Sequence, residues 1–196
     1  VWPHLNYDEL TLVHTLLMGN LDAAEAIPFW LGGFSSDPKH PFTGPGGPLV
    51  YVDGQFWANP DRVQSLYEFD KGRLSLGPAQ QLAPDVIGQR STDGDDDSFP
   101  VYSPKGSEMP LVYFDSRSYL GTFYVPGDPD KTGAAKAYLT SRSSDVKIEW
   151  DNDNTFQIIS AGRDNHYGSY ACINAPGDLT TYPVFPTGEN YGQALS

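Results

Sequence analysis

Thr155-Phe156-Gln157-Ile158-Ile159-Ser160-Ala161-Gly162-Arg163-Asp164-Asn165-His166-Tyr167-Gly168 begins as a run of strand formers and ends as a polar turn. Phe156 to Ile159 are β-branched or aromatic at three of four positions, which suits a pleated, half-buried surface. Ser160-Ala161-Gly162 stops the run, an acidic side chain follows, and a second glycine closes the segment. Such a strand feeding a loop has the means to hold a cation, and nothing in it suggests a nucleophile. Just upstream, Asp151-Asn152-Asp153-Asn154 supplies four Asx residues, a good hairpin turn between strands expected at Val146 to Trp150 and Thr155 to Ile159.

Working outward, residues 110 to 173 read as a sheet. Leu111 to Phe114, Thr122 to Val125 and Lys136 to Leu139 are its other expected strands. Residues 35 to 109 are a loop-rich insertion, because Pro38, Pro41, Pro45 and Pro48 with Gly44, Gly46 and Gly47 forbid regular structure over a dozen residues. Within it Leu49 to Val52 is a candidate strand, Asp53-Gly54 a turn, and Phe56-Trp57 and Leu66-Tyr67-Glu68-Phe69 aromatic patches expected to pack back onto the body. Residues 6 to 34 are the helical part. Asn6 with Glu9 has the form of a capping box, and Leu10, Val13 and Leu17 recur at helical spacing with Leu12 and Leu16 beside them. Gly19-Asn20 ends that helix. A second, short one uses Asp22 to Ile27, with Pro28 as a kink or as part of the first turn. Residues 174 to 196 form an irregular tail. The expected class is α+β: one domain over 1–196, N-terminal helices packed on a small antiparallel sheet, with long Pro/Gly-rich loops.

Charge narrows the partners. With 25 acidic against 12 basic side chains the net charge is −13, which repels phosphate backbones, so nucleic acid is not an expected partner. Twenty glycines, 17 prolines and 13% aromatics point to a loop-rich fold with β structure. The one cysteine, Cys172, excludes an internal disulfide and any zinc site built from several cysteines. No apolar run approaches the roughly 20 residues that span a bilayer. A chain that starts at Val1 without leader or initiator methionine is expected to have been cut from a longer one.

Four blocks carry a resemblance. Ala24-Glu25-Ala26-Ile27-Pro28-Phe29-Trp30-Leu31-Gly32-Gly33-Phe34 looks like a helix end, Pro41 to Pro48 like a proline-glycine loop, Asp93-Gly94-Asp95 through Phe99-Pro100 with Pro110 to Phe114 like a third segment, and Phe156 to Gly168 like a C-terminal one. In this order they resemble pseudopilin-like proteins of the type II secretion and type IV filament class, from about residue 22 to 168. The family's usual glycine after Asp164 is Asn165 here, a mild change because Asn tolerates a left-handed backbone.

The resemblance implies a non-enzymatic structural subunit whose α/β head sits outside the bacterial cytoplasmic membrane, in the periplasm or on a surface filament. Other pilin-like subunits would be its partners. It would reach the membrane only through an N-terminal anchor helix that this chain does not contain. Gly32, Gly33, Gly162 and Gly168 would be its turn formers. Calcium is the cofactor to expect, since several members of the class hold one ion in a C-terminal loop. Two loops here have suitable oxygens. Asp93, Asp95 and Asp97 alternate like the start of an EF-hand, although Ser98 and Pro104 stand where its glycine and final glutamate belong. Asp164 and Asn165 form the other candidate, with Asp178 or Glu189 to complete it.

Enzyme signatures are missing: no Gly-x-Ser-x-Gly elbow, no Walker A loop, no His-Glu-x-x-His helix. His4, His14, His40 and His166 are scattered, and only His166 lies in a polar loop near an acid, Asp164. The alternative from another class is a secreted carbohydrate- or surface-binding module that uses Trp30, Trp57 and Trp150 as stacking platforms.

Overall fold

A computed structural model describes residues 3–53, 55–75, 99–126, 129–142, 148–168 and 182–185. The first helix, α1, spans Tyr7–Asn20. Asn6 starts it as expected: its Oδ1 accepts the Asp8 N–H at 2.7 Å. Glu9 does not complete the box. It faces inward with Val13, one turn on, while Leu10, expected on the apolar face, is half exposed. The reciprocal box appears one helix later. Asp22 Oδ1 accepts from Ala24 N and Glu25 N at 2.7 and 2.8 Å, and Glu25 Oε2 accepts from Asp22 N at 2.8 Å. It introduces α2, Ala26–Leu31, where Pro28 falls in the first turn and lacks no bond that a helix would have given it.

The chain then turns repeatedly to residue 48, as the prolines and glycines require, before a hairpin of β1 (Leu49–Val52) and β2 (Gln55–Ala58). Tyr51 pairs with Phe56 and Val50 with Trp57 across it. A 3-10 turn at Lys71–Arg73 leads into β3 (Leu74–Ser75), paired with β4 (Val101–Tyr102). The rest comprises β5 (Val112–Asp115), β6 (Phe123–Tyr124), the single turn α3 (Pro129–Thr132), β7 (Ala135–Lys136), β8 (Leu139–Arg142), β9 (Ile148–Trp150) and β10 (Phe156–Ile159).

The α+β class holds, but the single sheet expected over 110 to 173 does not form among the described residues. Strands pair two by two and antiparallel: β5 with β10, β6 with β7, β8 with β9. The Asx turn at 151 to 154 forms, with Asn152 at φ 55° and Thr155 N–H donating to Asn152 O at 3.2 Å, yet its flanking strands do not pair with each other. Gln157 explains why. Buried on β10, it accepts from Tyr138 N at 2.7 Å and donates to Tyr138 O at 3.0 Å and Asp151 O at 2.6 Å. A side-chain amide thus occupies the place that a neighbouring strand would take. Lys136 to Leu139, expected as one strand, breaks between β7 and β8 at the same spot.

Two apolar clusters dominate. One gathers Ala24, Val112, Phe114, Ile159, Ala161 and Tyr167 around the β5–β10 pair. The other joins Val13 of α1 and Phe29 of α2 to Phe42, Leu49 and Phe99. The second is built on aromatic contacts, with Phe29 stacked on Phe42 at 6.3 Å and edge-on to Phe99 at 5.6 Å. The residues around α2 reach both clusters: Ala24 enters the first, Phe29 the second, and α2 lies against β4 and β5. Among the described residues no helix is long and apolar enough to cross a membrane.

Candidate functional site

Polar side chains, rather than sheet, hold the loops that shape the surface. Glu9 is 4% exposed and receives four bonds from one loop. His40 Nδ1 meets Oε2 at 2.6 Å, Phe42 N and Thr43 N donate to Oε1 at 2.7 and 2.9 Å, and the Thr43 hydroxyl reaches Oε2 at 3.1 Å. Arg62 does the converse. Its guanidinium donates to the carbonyls of Pro28 (2.9 Å), Phe29 and Gly33 (2.9 and 3.2 Å) at the end of α2, beneath which Phe29 offers its ring at 5.7 Å. No carboxylate accompanies it among the described residues, and burial lowers its pKa to about 10. Gly32 and Gly33 are required by this arrangement. A Cβ on Gly32 would stand 2.6 Å from Arg62 Nη1, and Gly33 sits at φ 111° with the Val63 carbonyl 2.1 Å from where its Cβ would go. Gly32 itself has an ordinary φ of −74°, so space, not backbone handedness, selects it.

Gly162 and Gly168 do turn through positive φ, and so does Asn165 at φ 58°. The asparagine has a task that the sequence did not disclose. Its Oδ1 accepts from Glu108 N at 2.8 Å and from the Ser107 hydroxyl at 3.1 Å, tying the 162–168 turn to the loop after β4. That oxygen therefore faces donors, as a cation ligand would not. Asp164 is exposed, with Oδ1 3.4 Å from His166 N. Among the described residues no group of three or more His, Cys, Asp or Glu side chains is placed to hold a metal. Asp93, Asp95, Asp97, Cys172, Asp178 and Glu189 lie outside the described residues. The His166 ring does not pair with Asp164 either: its Nδ1 takes the Gly168 N–H at 3.0 Å. The histidine–carboxylate pair that does form is His40 with Glu9.

The loop that Asn165 holds borders a polar cleft of about 310 Å³. Asp70, Arg73 and Leu74 line it from the β3 side, Ser103 and Ser107 from the loop after β4. Each part is fixed from within. Asp70 Oδ1 accepts Gly72 N at 3.0 Å, Ser103 N donates to Arg73 O at 3.1 Å, and the Ser103 hydroxyl donates to Glu108 O at 3.2 Å. Arg73 Nε stands 3.5 Å from Asp70 Oδ2, so the two charges offset each other. Only the aromatic patch at Leu66 to Phe69 pointed to this region from sequence. The cleft itself joins segments some thirty residues apart, for which no local motif exists.

Of the candidate stacking platforms, Trp150 is enclosed between Tyr119 and Tyr182, each 5.3 Å away. Trp30 and Trp57 are exposed at 38% and 39%. Trp57 shares its hairpin with Val50, Tyr51 and Val52, all at the surface.

No family model, curated protein or solved structure matches this chain.

Proposed function

We propose that this chain is the extracytoplasmic head of a non-enzymatic, pseudopilin-like structural subunit, one domain whose partners are other pilin-like subunits of a bacterial secretion or surface filament. One observation carries the reading. The described parts of the blocks that bear the family resemblance meet in the two apolar clusters. Ala24 shares its cluster with Val112, Phe114, Ile159 and Tyr167, Phe29 stacks on Phe42, and Tyr113 N donates at 2.7 Å to the carbonyl of Ala23, just before the first block. A single head built from these blocks would bring them together in this way. The exposed β1–β2 hairpin is the natural surface for neighbour contacts.

The test is the full reading frame, expressed with a prepilin peptidase. Mass spectrometry should find a cleaved basic leader followed by an apolar helix of about 20 residues, and the product should appear in sheared filaments. An ordinary secretion leader directly before Val1 overturns the proposal. Calcium, implied by the same resemblance, is tested by melting the protein in calcium and in chelator; an unchanged midpoint removes it.

A second reading, a surface- or carbohydrate-binding module, is favoured by the exposure of Trp30 and Trp57. Binding on a glycan array that is lost in Trp57→Ala would raise it above the first.

A further inference from the structure

We infer that the polar cleft beside β3 and β4 is a binding site for a neutral carbohydrate, with an aromatic row along its border that presents the Tyr67 ring as the stacking face. The row is Tyr67, Phe69 and Tyr102. Ring centroids are 4.8 Å apart for the first pair and 5.0 Å for the second, both edge-to-face at 66° and 60°, so Phe69 and Tyr102 brace the Tyr67 ring instead of extending its face. Phe69 directly precedes the cleft residue Asp70, and Tyr102 is the cross-strand partner of the cleft residue Leu74 and precedes Ser103. Tyr67 is half exposed, so one ring of the row is open to a ligand.

The chemistry of the two halves is complementary to one ligand class. A pyranose presents an apolar face of C–H groups and an edge of hydroxyls. The half-exposed Tyr67 ring offers apolar, quadrupolar surface to the face. The cleft offers alternating donors and acceptors to the edge: Arg73 N–H groups, the Asp70 carboxylate, and the remaining lone pairs of Ser103, whose proton is already given to Glu108 O. A volume of about 310 Å³ is at the small end for ligand clefts, the scale of one or two sugar rings. The internal bonds of Asp70, Ser103 and Ser107 hold the lining in place before any ligand arrives, so little ordering remains to be done on binding.

Charge selects against the competitors. Asp70 and Arg73 neutralise each other within the cleft, and the chain as a whole carries −13. A sulfated or uronic polymer, or a nucleic acid whose bases would also stack, meets that field unfavourably. The inference does not depend on the filament reading, since none of the cleft residues belongs to the blocks that carry the family resemblance.

The experiment is calorimetric titration of the intact chain with cellohexaose, laminarihexaose, mannohexaose and chitohexaose. At least one should bind with a Kd below about 1 mM. Tyr67→Ala and Arg73→Met should each weaken it about tenfold or more, Trp57→Ala should leave it unchanged, and a heparin fragment should not compete. Tyr67 lies outside both apolar clusters, so its variant decides the matter if Arg73→Met fails to fold. The inference is overturned if none of the four sugars binds, or if binding survives Tyr67→Ala. Loss in Trp57→Ala alone also overturns it, placing the sugar on the hairpin.

Discussion

The N-terminal region, up to residue 69, and the strand-rich region from 99 to 168 solve the same problem with different side chains. Both leave backbone groups that no neighbouring strand satisfies. In the first, the 40–43 loop turns four donors toward one point and Glu9, which only accepts, stands there. At the end of α2 three carbonyls converge and Arg62, which only donates, meets them. In the second region Tyr138 shows one donor and one acceptor, and the neutral amide of Gln157 matches both. Tyrosine hydroxyls serve single carbonyls there: Tyr119 donates to Asn152 O at 3.0 Å and Tyr167 to Pro110 O. The lesson is one of inventory. The polarity of what the backbone leaves open dictates whether a carboxylate, a guanidinium, an amide or a phenol replaces the missing strand.

Glu9→Gln should break this pattern most. It keeps the shape but turns a donor toward donors, and about 3 kcal/mol of stability should be lost in urea denaturation, as for a buried charge partner removed. A loss under about 1 kcal/mol would show that the loop is held by its prolines instead. Gln157→Leu should cost about 2 to 3 kcal/mol, since Tyr138 N and two carbonyls lose their partner in a buried place. Arg62→Lys comes next, at about 1 to 2 kcal/mol: the charge stays but the planar fork that spans three carbonyls does not.

Alkaline titration sharpens the contrast. Burial raises the Tyr119 pKa to about 12 and pushes Tyr167 well above the ordinary phenol range. In the unfolded chain both release their protons near the ordinary value, about 10. Between those pH values the folded state binds more protons, so stability is full below pH 10 and falls as pH rises toward 12. Tyr119→Phe should flatten that slope, measured as melting midpoint against pH, while losing about 1 kcal/mol at neutral pH for the missing bond. The smallest effect is expected at Asn152→Gly. This exposed residue at φ 55° touches the fold through its carbonyl, which glycine retains, and its side chain makes only a long 3.4 Å bond to the neighbouring Asp151, so stability should change by no more than about 0.5 kcal/mol.

Much of the local structure was legible. The helix start at Asn6, the irregular 38–48 stretch, β1, the core of β5 and β10, and the left-handed tolerance of Asn165 all follow from residue type over a few positions. What misled was equally local. Leu10 looked like core and is half exposed, because Glu9 is drawn inward by donors that arrive 31 to 34 residues later. The Asx turn at 151 looked like a hairpin, because nothing near it in sequence shows that β5 claims β10. What the sequence did not show at Asn165 is its tie to residues 107 and 108.

The amino-acid sequence by itself determined the two N-terminal helices, the turns of 38 to 48, the strands β1, β5 and β10, and a strongly acidic balance of charge, since these depend on backbone sterics, side-chain branching and charge over a few positions. The tertiary structure alone decided which strands pair, which polar side chains go inside, and that Asp70, Arg73 and Ser103 face one cleft. Those outcomes depend on groups far apart in the chain competing for the same donors and acceptors, and a hydrogen bond leaves no trace in sequence until both of its partners have been brought together.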